Sequence, residues 1–232
     1  MSKKLTQSKI TNLKFLCRPY VDVIKYNDSF LKKEAIKIHL LDDACNLLDK
    51  PTTKFSNYVK SPKDFAKEPE GLYFTLFHMP YSAGIIGDLL MGDMPGCYCK
   101  IRIMLEGLAY CYDIKDNKII RAKLNYKKFI EYVELKRNKQ TYESITKIME
   151  RIDKKLELVR RTSFTHIWKK TSDYYMHPTG SIKRFAAGIR KGTIPPGSIA
   201  LPVKYSQSDL NNLKQLDFYI RAIGILLDKV MP

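Results

Sequence analysis

Apolar residues recur along this chain at three- and four-residue intervals, the period of helices buried along one face. From Asp28 onward, Ile36, Leu40, Ala44, Leu47 and Leu48 share such a face, with Lys32, Lys33, Asp42 and Asp43 off it. Ser61-Pro62-Lys63-Asp64 reads as a helix start, with Ser as N-cap, Pro in the first turn and an acid three residues after the cap. Pro69 and Gly71 stop that helix early. Leu72 to Met79 is a short apolar run that suits a strand or a buried helix. Pro80 to Met91 is patterned as a helix, and Gly92, Pro95 and Gly96 break the chain after it.

Cys97 to Tyr112 carries Ile101, Leu105, Leu108 and Tyr112 on one stripe, and Asp116-Asn117 makes a turn. The pattern then predicts helices around Tyr126 to Lys136 and from Thr141 to about Val159. The second has Ile145, Ile148, Met149, Ile152, Leu156 and Val159 as its apolar face. Pro195-Pro196-Gly197 and Pro202 mark a loop or short hairpin between Lys191 and Tyr205. Ser206 to Asp209 is a capping box for a final helix. There Leu213, Leu216, Ile220, Ile223, Leu227 and Val230 form a heptad seam that suits an intrachain core face or a dimer interface. The fold expected is mainly α: a helical bundle with a loop-rich basic section before its C-terminal helix. It reads as a single domain over residues 1–232, with 1–20 a basic N-terminal arm.

Charge changes the picture more than composition does. The formal net charge is +17, and residues 118–204 hold 21 Lys and Arg against 7 Asp and Glu, so +14 of it lies there. After Asp173 no acid occurs until Asp209, while Lys183, Arg184, Arg190, Lys191 and Lys204 all fall between. Such a field draws nucleic acid, although 31 Lys against 10 Arg is also what a lysine-rich proteome gives. The run from Gly180 to Gly192 is the phosphate-contacting candidate. Lys183, Arg184, Arg190 and Lys191 supply charge, and Phe185 is placed to stack on a base or to anchor the segment.

Metal and cofactor chemistry find no footing. Phosphate-loop, dinucleotide-binding and nucleophile-elbow motifs are absent, and His39, His78, His166 and His177 lack metal-ligand spacing. Cys97 and Cys99 have one residue between them, which is not a zinc spacing. Five cysteines, no leader sequence and no apolar run approaching ~18 residues lead to the expectation of a cytoplasmic protein without a membrane span, its cysteines mostly core residues.

Two constellations remain. Arg161 precedes His166 with four residues between, and Arg160 does so with five. Here the chain resembles the HEPN superfamily of small helical bundles, many of them metal-independent ribonucleases with an R-x4–6-H motif. The resemblance implies a homodimer in which Arg and His of both subunits face one cleft. It also implies His166 in acid/base transfer at a ribose 2′-hydroxyl and Arg161 on the scissile phosphate. A basic helix end at Val159-Arg160-Arg161, with His166 exposed beyond it, is the structural alternative.

The second constellation joins Arg102 and Glu106, one helical turn apart beside a core stripe, to Trp168, Ser172 and His177-Pro178. It is similar to HEPN-like families in which a helix bearing Arg and Glu precedes a later Trp, Ser and His-Pro cluster. The expectation is that Arg102, Glu106, Ser172 and His177 converge on one polar pocket. The alternative is a surface ion pair and an unrelated helix cap. The functional expectation is a protein that binds RNA or another phosphate-bearing partner, with a metal-independent endoribonuclease as its enzymatic form. A non-catalytic nucleic-acid-binding or protein-interaction scaffold is the alternative from a different class.

Overall fold

The computed structural model of the chain describes residues 7–34, 38–55, 67–117, 123–137, 144–172, 190 and 204–231. These residues form a helical bundle with no strand among them. The helices are α1 (Gln7–Lys33), α2 (Leu40–Phe55), α3 (Pro69–Tyr73), α4 (Met79–Met91), α5 (Met94–Asp116), α6 (Tyr126–Arg137), α7 (Ile145–Lys155), α8 (Phe164–Thr171) and α9 (Leu210–Val230). No helix among the described residues is long and apolar enough to cross a membrane.

The bundle is organised around α5. Asp93 caps its N-terminus by accepting the Gly96 amide at 2.9 Å, and proline occupies the first turn, where a missing N–H costs nothing. Cys97, Tyr98, Ile101, Met104, Leu105, Leu108, Ala109, Cys111 and Ile114 are all buried, so the helix is apolar around most of its circumference. It packs against α3, α4, α7, α8 and α9. Gly107 is required there: a Cβ would run into the ring of Phe77, which lies across it.

The final helix shows the clearest agreement between pattern and packing. Ser206 and Asp209 form the expected capping box, leading through a short 3-10 turn into α9. All six seam positions are buried within the chain, against α2 and α5. Polar ties fix the remaining layers. Asn27, fully buried, donates to the Leu90 carbonyl at 3.0 Å and accepts the Tyr205 amide at 2.9 Å, linking α1, α4 and the approach to α9.

Several expected boundaries move. The run from Asp28 is two helices, α1 and α2, with Ile36 outside the described residues. Residues 7–20 of the expected arm are helical. Pro69 begins a helix where the sequence suggested a stop, because its fixed φ suits a first turn. Leu72 to Met79 is helical, joined to α4 through a π-turn over Phe74–His78. α5 starts at Met94, so Pro95 and Gly96 open the helix they were expected to precede.

The largest shift concerns α7, which ends at Lys155, four residues before the expected Val159. Glu157 takes a left-handed φ of 48°, and the Leu158 amide returns to the Asp153 carbonyl at 3.0 Å, closing the helix. Val159 then emerges 72% exposed instead of completing the apolar stripe. Arg160–Thr162 form a 3-10 turn that leads directly into α8.

Candidate functional site

The site elements meet on α8, and Asp153 explains where that helix begins. From the last turns of α7 its carboxylate accepts the Phe164 amide at 2.7 Å, the Thr165 amide at 3.0 Å and the Thr165 hydroxyl at 2.6 Å. The Ser163 hydroxyl accepts the His166 amide at 3.2 Å. The orphan amides of the first turn are therefore satisfied internally, with a negative charge at the positive end of the helix. Phe164, Ile167 and Thr171 face the core, which leaves two flanks partly open.

Trp168 lies on the first flank. Its indole N–H donates to Glu106 Oε1 at 2.8 Å, and the same oxygen accepts Arg102 Nε–H at 3.0 Å. The Arg102 guanidinium lies over the indole, with Cζ 4.5 Å from the ring centre. A carboxylate, a cation and an aromatic ring thus satisfy one another across α5 and α8. The cation–π contact contributes about 0.5–1 kcal/mol and the partly exposed ion pair no more than about 1 kcal/mol. Ser172, buried, spends its hydroxyl on the Trp168 carbonyl at 2.6 Å and does not reach Arg102 or Glu106 by hydrogen bond.

His166 lies on the other flank. It is two residues from Trp168, about 200° of rotation on a helix, so the two constellations face opposite ways. Burial, then the charges of Lys170, Arg160 and Arg161, push its pKa below the ordinary value of 6.5. The imidazole is therefore held neutral at physiological pH. His166 sits in the first turn of α8, not beyond a basic helix end, because α7 closes early and the chain re-enters a helix at Phe164. Arg160 and Arg161 are exposed on the preceding turn.

Of the other sequence candidates, Arg190 is exposed, while His177, Lys183, Arg184, Phe185 and Lys191 lie outside the described residues. His39 is exposed. His78 is buried on the π-turn, where Nε2–H donates to the Leu47 carbonyl at 2.8 Å, and burial pushes its pKa down to about 4. Cys97 and Cys111 are core residues and Cys45 is exposed. Among the described residues no three His, Cys, Asp or Glu side chains gather in a metal-binding group.

Sequence reasoning missed Asp153 and Lys170. Lys170 was readable, since it stands one turn after His166. Asp153 was not, because it acts on backbone amides that no residue type announces. No family model, curated protein or solved structure matches the chain.

Proposed function

We propose that the His166 flank of α8 binds a phosphate-bearing chain, RNA in the first instance, and that His166 and Arg161 cleave it without a metal. One observation carries the reading: exposed Arg160 and Arg161 on the turn that enters α8, and Lys170 one turn after His166, bring positive charge to the same half-exposed imidazole. Like charges gathered at a surface raise one another's free energy, and a polyanion relieves that cost while releasing its own counterions.

The HEPN resemblance gives the cluster a chemistry. A neutral His166 accepts the proton of a ribose 2′-hydroxyl as that oxygen attacks the adjacent phosphate. Arg161 offsets the charge that accumulates on the phosphoryl oxygens. Phosphate bound beside His166 also raises the imidazole's pKa, so the same group then serves as the acid that protonates the leaving 5′-oxygen. In the resembling family two subunits share the cleft, and this reading carries that homodimer with it.

The test uses the full chain and a fluorescent RNA oligonucleotide. Binding is expected to weaken steeply as salt rises, and Arg160→Gln with Lys170→Gln should lower both the affinity and the salt slope. Replacing His166 with Ala should abolish cleavage while leaving binding nearly intact. Salt-independent binding sinks the interface. Undiminished cleavage in the His166 variant removes His166 from the chemistry, and no cleavage by the wild type leaves the non-catalytic RNA-binding reading in its place.

A further inference from the structure

On the opposite flank, Arg102 is a guanidinium held in place with its terminal donors unspent. Nε–H is committed to Glu106 at 3.0 Å, and one face of the group is covered by Trp168. Glu106 is in turn fixed by the indole N–H at 2.8 Å. The two terminal nitrogens carry four N–H donors. They have no hydrogen-bond partner among the described residues, and they are not among the buried unpaired polar atoms either. They open to solvent, consistent with a side chain 24% exposed.

A guanidinium on an unrestrained surface arginine must be immobilised when it binds an anion, and that entropy is lost from the affinity. Here it is already lost. The planar fork is oriented by a stacking partner below and a carboxylate behind, leaving the edge that matches two oxygens of a phosphate or carboxylate. Lys169, the residue after Trp168, is exposed and adds to a field that already favours anions.

We propose that Arg102 is an oxyanion-binding residue, taking a phosphate group or a carboxylate in a two-pronged contact through its terminal nitrogens. Glu106 and Trp168 position it. Because Glu106 neutralises the guanidinium, affinity rests on geometry more than on net charge, and removing the Glu106 charge strengthens binding. The site is independent of the RNA reading, since it faces away from His166.

Trp168 is the sole tryptophan of the chain, so its fluorescence reports on this site. Inorganic phosphate is titrated into the full-length protein at constant ionic strength, with chloride as the control. The expected result is a saturable change in emission with phosphate and none with chloride. Arg102→Lys keeps the charge but loses the fork and should weaken phosphate by about tenfold or more. Glu106→Gln keeps an acceptor for the indole and Nε–H but removes the competing charge, and should tighten it several-fold.

Acetate and a nucleoside 5′-monophosphate, run alongside, separate a carboxylate or phosphate-ester source from free phosphate. Far-UV circular dichroism checks that both variants keep their helices. A response that does not saturate, that survives Arg102→Lys, or that ignores Glu106→Gln overturns the proposal, as a purely structural clamp would give. RNA binding through the His166 flank should be unchanged in Arg102→Lys, so failure of one site is distinguishable from failure of the other.

Discussion

On one flank of α8 a cation meets its counter-charge, and on the other cations bear on an imidazole whose charged form they disfavour. Arg102 lies over Trp168 and donates to Glu106, so every member of that group gains a partner. His166 instead has Lys170, Arg160 and Arg161 around it, each favouring its neutral form. Both groups are built from the residue types a sequence reader associates with catalysis, yet their physics differs. The compensated group contributes to holding α8 on α5. The uncompensated group contributes little to the fold and leaves a potential that a ligand can use. Charge balance, more than residue identity, separates a group that offers a ligand a pre-set edge from one that offers it a field.

The largest expected effect tests that separation through stability. Trp168→Ala removes a large ring packed against the core, together with the acceptor and stacking relations of Glu106 and Arg102. It should cost about 2–3 kcal/mol, less than a fully buried tryptophan because the ring is only partly covered. His166→Ala should stay within about 0.5 kcal/mol. Denaturant unfolding followed by circular dichroism checks both, and equal losses would erase the distinction between the flanks.

A third region sharpens the comparison, because there like charges are pressed together inside the fold. Asp217 on α9 is buried with one carboxylate oxygen unpartnered, while the other pairs with Arg221 at 2.9 Å. Arg221 also reaches Asp43 on α2 at 3.4 Å. Burial, followed by the neighbouring Asp43 carboxyl, pushes the Asp217 pKa up to about 6. A carboxyl whose folded pKa exceeds its unfolded value gives stability that is fully present below about 4 and lost as pH rises through about 6. At pH 7 the ionised Asp217 therefore burdens the fold. Asp217→Asn should stabilise the protein by about 1–2 kcal/mol at pH 7, with the advantage fading toward pH 4. A gain that does not vary with pH would place its origin in packing and not in the charge.

What the sequence made legible follows from how each feature is encoded. The α9 seam and its cap were readable because six apolar positions and a local capping box state the same element twice. Arg102 and Glu106 were readable because spacing of four fixes two side chains on one helical face, wherever the helix packs. Their contact with Trp168, 62 residues away in sequence, was expected only as a co-occurrence and needed the packing of α8 on α5 to become a distance. The end of α7 was not readable. Glu157 occupies a left-handed conformation usually given to Gly or Asn, so the stop carries no residue signal. The π-turn at Phe74–His78 was equally silent, since an extra residue per turn leaves the composition unchanged.

The smallest expected effect is the most direct measure of the uncompensated flank. Because the His166 pKa is lowered by burial and then by Lys170, Arg160 and Arg161, removing one of those charges should raise it. Lys170→Gln should raise it most among the three, since Lys170 is the largest of the charge contributions, with Arg160→Gln and Arg161→Gln following. The sign extends to stability. A histidine held below its unfolded pKa disfavours its own protonation, so the fold loses stability as pH falls through 6.5 toward the folded value, and Lys170→Gln should soften that loss. NMR titration of the four imidazoles, with His166 assigned from its Ala variant, follows the pKa directly. Glu106→Gln is the control: it removes a charge from the opposite flank and should leave the His166 titration in place. A shift from Glu106→Gln equal to that from Lys170→Gln would mean that the two flanks share one electrostatic field.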